Sequence, residues 1–172
     1  IDGETNPIES KYLFTDKAEK VNGLKAEYFT NMNLEGEPAK VIVDNQINFM
    51  WNDKGPFEDF QKDNFSVRWT GYVKPEKSET FTFDVGSDDG IRLYIDDQLV
   101  IDDWTDHAYL TNSFTKDLKA GQLYKIKLEY YENGGGAIVK FGWRKPNNEL
   151  IVDAINAKKK SDLAIIFAGT NA

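Results

Sequence analysis

The stretch FSVRWTGYV, residues 65–73, constrains the fold more tightly than any other part of the chain. Val67, Trp69 and Val73 fall on one side of an extended backbone, and Ser66, Arg68 and Thr70 fall on the other. That two-residue period belongs to a strand with one face in a core. The alternation returns in GLKAEYFT (23–30), ETFTFDV (79–85), GIRLYI (90–95), LYKIKLEYYE (123–132) and AIVKFGWR (137–144), while INFMW (47–51) is mostly apolar. Candidate core positions include Phe81, Phe83, Val85, Ile91, Leu93, Ile95, Ile126, Leu128, Val139 and Phe141. Gly, Asn, Asp and Pro punctuate the runs, so the pattern predicts an all-β fold: two packed antiparallel sheets forming a β-sandwich.

Composition narrows the function classes. The 172 residues suit one domain with a real core, and 4 Trp, 8 Tyr and 11 Phe supply it. A net charge of −8 without a basic run argues against nucleic acid as a partner. The absence of cysteine removes disulfide frameworks and thiolate metal sites. No run of apolar residues reaches the roughly 18 that a membrane span needs, which argues against a membrane partner. The first residues lack the basic start and apolar run of a signal peptide, and with no initiator Met the chain is expected to be cut from something longer. No compartment follows from this.

Seven aspartates crowd the run between Phe83 and Trp104. Aspartate competes for backbone hydrogen bonds and is depleted from strands, so each acidic pair should mark a break in the ladder. Asp96-Asp97 reads as a hairpin turn, because aspartate tolerates the positive φ that such turns require. Asp102-Asp103-Trp104 has the look of a glycosidase nucleophile's surroundings, but hydrolysis needs a second carboxylate about 5–9 Å away and a cleft. His107 is the only histidine, and no GxSxG elbow accompanies it, so catalysis by a triad is not expected. NGGGA (133–137) lacks the Lys and helix of a phosphate loop and reads as a hairpin turn.

Four segments in order, GLKAEYFTNMNLEGEP, SVRWTGYVKP, FTFDVGSDDGIRLYIDDQLVIDDWTDH and YKIKLEYYENGGGAIVKFGW, resemble the PA-fourteen domain, the β-sandwich module named from protective antigen. The resemblance spans residues 21–151 and implies carbohydrate binding without catalysis. In lectin-like members an adjacent aspartate pair, often joined by a cis peptide, coordinates calcium with an Asn and loop carbonyls. The matching residues are Asp88, Asp89 and Asn133, with calcium as the implied cofactor. The chemistry agrees, since Ca²⁺ takes six to eight oxygens and two carboxylates at a bend supply several. Gly90 would let the chain turn tightly there. Against this stands an equally weighted reading, in which the carboxylates merely accept backbone N–H bonds from the turn.

Sugar recognition asks for an apolar flat surface beside polar groups. Besides Asp88 and Asp89, the candidates are Trp51, Trp104 with His107 and Tyr109, and above all Phe57 and Phe60 in the loop from Asn52 to Asn64. There Gly-Pro and charges prevent a strand, and exposed aromatics on an irregular loop favour contact.

Residues 1–20 read as a lead-in or linker. Residues 152–172 have a different texture: a helix from about Asp153 to Lys160 and an unbroken apolar run from Leu163 to Ala168, as in a parallel strand. This tail is similar to part of the α/β domain of family-three glycoside hydrolases, the β-glucosidases, some of which carry a PA-fourteen insert. The combined resemblance implies an accessory domain beside an active-site entrance, a lid tuning substrate length, with the parent's catalytic domains as partners. A structural or protein-interaction sandwich that binds no glycan is the competing class.

Overall fold

The computed structural model describes residues 6–144, and the predicted tail helix and apolar run lie outside them. Eleven strands form among these residues: β1 (Leu13–Phe14), β2 (Leu24–Phe29), β3 (Lys40–Asp44), β4 (Asn48–Asn52), β5 (Phe65–Val73), β6 (Glu79–Asp88), β7 (Ile91–Ile95), β8 (Gln98–Asp103), β9 (Leu110–Leu118), β10 (Tyr124–Glu132) and β11 (Ala137–Arg144). One sheet runs β3-β2-β5-β10-β7-β8, with β1 added to β5, and the other runs β4-β11-β6-β9. All pairings are antiparallel. The sandwich expected from the alternation is therefore the fold, and its inner faces supply Val67, Trp69, Phe83, Val85, Leu93, Ile126, Leu128 and Phe141, all buried.

Two strands escaped the sequence pattern for opposite reasons. In β3 the valines point outward, with Val41 and Val43 exposed, while Asp44 is buried. The inward acid is satisfied: one carboxylate oxygen accepts from the Tyr28 hydroxyl at 2.7 Å and the Trp69 indole N–H at 2.8 Å. In β9 polar residues occupy both faces because the strand is an edge, bordered only by β6. The lead-in, too, belongs to the sandwich. Ile8 is fully buried, Leu13–Phe14 pairs with β5, and Trp143 donates its backbone N–H to the Asn6 carbonyl, so residue 6 and the end of β11 lie side by side.

The larger sheet's outer face carries a row of alternating charge. Glu27, Arg68, Glu129, Arg92 and Asp102 face one another across five strands. Arg68 reaches Glu129 at 3.1 Å and Arg92 reaches Asp102 at 3.0 Å. Opposite charges on neighbouring strands fix the register of a face that apolar patterning leaves undefined.

Replacing Asp44 with Ala leaves two buried donors, the Tyr28 hydroxyl and the Trp69 indole N–H, without an acceptor. Each such loss costs about 1–3 kcal/mol, so D44A should lower unfolding stability by about 2–4 kcal/mol in urea titrations. D44N keeps an acceptor oxygen and should lose less than half as much.

Candidate functional site

One end of the sandwich gathers the acids. Asp88 closes β6, and the peptide bond from Asp88 to Asp89 is cis. Asp89 is only 5% exposed and uses both carboxylate oxygens, accepting from the backbone N–H of His107 at 3.0 Å and of Asn133 at 3.0 Å. A single carboxylate thus ties the β6–β7 corner to the β8–β9 and β10–β11 loops. Asp89 thus accepts backbone N–H bonds, from two other loops rather than from its own turn.

A different part falls to Asp88. Its carboxylate is half-exposed and accepts the backbone N–H of Tyr109, while its carbonyl accepts from the Tyr130 hydroxyl at 2.6 Å. Burial, and then the neighbouring Asp89 charge, raise its pKa.

Glu132, which the sequence did not single out, completes the cluster. Carboxylate oxygens of Asp88, Asp89 and Glu132 lie within 4.8 Å of one another. Glu132 is 0% exposed, and its Oε2 lies 2.9 Å from the Tyr130 hydroxyl, whose single hydrogen it shares with the Asp88 carbonyl. Its Oε1 is buried with no hydrogen-bond partner among the described residues. Burial pushes the Glu132 carboxyl up to about 7, the Tyr130 hydroxyl works against the rise, and the charges of Asp89 and Asp88 add to it. A buried carboxylate oxygen without a donor, facing two more carboxylates, has the chemistry of a cation seat, so the residues present fit calcium. No sequence rule reveals this residue, because Glu132 ends a strand and looks like one of its polar positions.

Asn133 lies beside the cluster but is held differently from the expectation. Its side-chain N–H donates to Asp106 at 2.7 Å, leaving the amide oxygen as the atom it could offer an ion. Asp106 also accepts from the Tyr131 hydroxyl at 2.6 Å, and these hydrogen bonds, Tyr131 first, lower its pKa. Trp104 meets the Tyr131 ring edge to face at 4.7 Å, with the Arg92 guanidinium 4.3 Å from its centroid. Asp88, Asp89, Asn133 and Trp104 are thus brought to one place. Gly90 serves space rather than a turn: the Tyr131 ring lies 2.1 Å from where a Cβ would stand.

Phe57 and Phe60 correct the expectation of an exposed aromatic loop. Both turn inward, Phe57 against Tyr28 at 4.9 Å and Phe60 against Phe65 at 5.8 Å, and Lys40 covers Phe57 at 3.6 Å. Both rings are half-buried, packed against the apolar core that lies beneath the loop. Trp51 likewise stacks on Phe49 at 4.8 Å. The other acidic pairs are structural. Asp96 and Asp97 both have positive φ in a two-residue turn, as expected, and Asp103 holds Asn112 and Thr105. Burial opposes those bonds, yet they and His107 lower the Asp103 pKa.

Comparison with known proteins follows from this geometry. The family model for the PA14 domain matches residues 20–154. The chain is similar to the anti-sigma-I factor RsgI3 of Acetivibrio thermocellus, at 39% identity over 128 residues, covering 74% of this chain and 20% of that protein. It is similar to the probable β-glucosidase I of Aspergillus clavatus, at 27% identity over 191 residues, covering 95% of this chain and 22% of that enzyme. Among solved structures, the PA14 sugar-binding domain from an RTX adhesin shares the fold with a TM-score of 0.57 at 16% identity, covering 72% of this chain and 89% of that one. The chain spans about a fifth of the length of the two curated relatives.

Glu132 gives the site a pH signature. Its folded pKa of about 7 lies above the ordinary 4.5, so the folded state holds the proton more tightly than the unfolded state. In a chelator, stability should therefore fall as pH rises through that window and level off above it. E132Q should flatten this slope in thermal melts, and an unchanged slope would assign the proton elsewhere.

Proposed function

The chain belongs to the PA14 domain family, and on that premise we propose that it is a carbohydrate-binding accessory domain whose site is the Asp88–Asp89–Glu132 cluster with a calcium ion. The observation that carries this reading is the buried, unpartnered Oε1 of Glu132 in a carboxylate that clusters with two others. Calcium would neutralise charges that otherwise repel, and it would offer open coordination positions to sugar hydroxyls. Asp88 and Glu132 are the carboxylates whose pKa values are raised, so they gain most from a cation. Asp89 contributes while holding the two loops, and the Asn133 amide oxygen is the neutral ligand. Trp104, against Tyr131, supplies an apolar wall for a sugar face. Phe57 and Phe60 act beneath the loop, fixing its shape from the core side.

The β-glucosidase likeness runs over nearly the whole chain, which supports a parent enzyme of that class. In that setting the domain is a lid beside the catalytic entrance, and the parent's catalytic domains are its partners. It carries out no hydrolysis itself; the family it belongs to is a binding module.

Calorimetric titration of the chain with calcium, and then with glucose and cello-oligosaccharides, tests the site. D88N should weaken calcium binding at least about tenfold, since an isosteric amide loses the charge. Sugar binding should vanish in chelator, whereas sugar binding that ignores both chelator and D88N would reject the ion. For the lid, removing the module from the parent enzyme should raise activity on five-unit oligosaccharides relative to disaccharides; an unchanged ratio rejects that role.

A further inference from the structure

The outer face of the four-stranded sheet, next to the acidic cluster, holds an aromatic ring in an unusual position. Tyr109 follows the β8–β9 loop, and its side chain folds back over Gly86 of β6. A Cβ at Gly86 would stand 2.2 Å from the Tyr109 hydroxyl oxygen and 2.7 Å from the ring carbon that bears it. Only a residue without a side chain lets the ring lie there. The backbone N–H of the same tyrosine donates to the Asp88 carboxylate, so the ring is tethered to the proposed ion seat. It remains 36% exposed.

Gly86 and Asp88 are two residues apart on one face of β6, about 7 Å along the strand. Lys140 is the cross-strand neighbour of Gly86, with its Nζ 5.7 Å from the Tyr109 centroid. Ile138 sits beside Asp88, and Met50 beside Ile138 is 57% exposed. The ring thus lies over a position whose cross-strand neighbours are Lys140 and Thr111, with the apolar Ile138 and Met50 in the row beside Asp88.

We propose that Tyr109, laid over Gly86, is a second sugar-binding position that takes the unit next to the ion-bound one, selecting β-linked gluco-oligosaccharides over monosaccharides. This rests on the ion-dependent glycan reading above and deepens it. The ring lies over Gly86, two residues along β6 from Asp88, so ring and seat are neighbours on one strand. Gluco-configured rings carry their substituents equatorially, so both faces present C–H groups that pack on an aromatic surface. Lys140 then reaches the hydroxyls at the rim of the bound unit.

The experiment compares glucose with cellotetraose, in millimolar calcium, on the whole chain and on Y109A, Y109F and G86V. The unaltered chain should bind cellotetraose about tenfold more tightly than glucose, the scale of one stacked aromatic contact. Y109A should lose that preference and keep its affinity for glucose, while Y109F should retain the preference because the ring remains. G86V, which displaces the ring, should behave like Y109A, and a calcium-induced rise in melting temperature in each variant shows that the ion seat is intact. If the unaltered chain binds neither sugar, the glycan reading fails and the second position with it. If it binds both, and Y109A keeps the preference for cellotetraose or loses both sugars equally, the second position alone is overturned.

Discussion

The working end of this protein is organised by the Asp89 carboxylate. With two oxygens it holds two backbone N–H groups that belong to separate loops, and through its own position it anchors the corner between the sheets. Charge-assisted hydrogen bonds of this kind are among the stronger polar interactions available inside a protein. Loops between strands are otherwise the loosest parts of a sandwich. Here His107 and Asn133, and with them the two loops they belong to, are held by one buried acid.

The cost of that arrangement is electrostatic crowding. Both Asp89 oxygens are committed to the loops, and Glu132 and Asp88 stand within reach of them. Folding therefore delivers an end of the molecule with too much negative charge for its surroundings. The pKa values of Asp88 and Glu132 rise in response, and a proton or a metal ion each relieves the strain in a different way. The crowding follows from the same feature that orders the loops.

Much of the fold was readable from Phe65–Val73 and the runs like it, because half-buried strands write their two faces directly into the sequence. The Asp96-Asp97 turn was readable for a similar reason, since positive φ at two successive positions limits the residues that serve. What escaped was every inversion of the pattern. Strand β3 buries an aspartate and exposes valines, because Tyr28 and Trp69 from other strands complete the acid. Phe57 and Phe60 sit in a polar loop yet pack inward, since the apolar surface that receives them comes from residues far away in the chain. Glu132 was hidden for the same cause: its partners Asp88 and Asp89 lie on a strand that reaches it only through the closure of the sandwich. Gly90 looked like a turn residue and Gly86 gave no signal, yet each proves to be a gap shaped for a tyrosine ring.

Residue 6 and the end of β11 come together through the bond between Asn6 and Trp143. A body that begins and finishes at a single point can be spliced into a surface loop of an unrelated host while leaving the host's own strands undisturbed. Chains similar to this sandwich accordingly occur within proteins as different as an anti-sigma factor and a β-glucosidase.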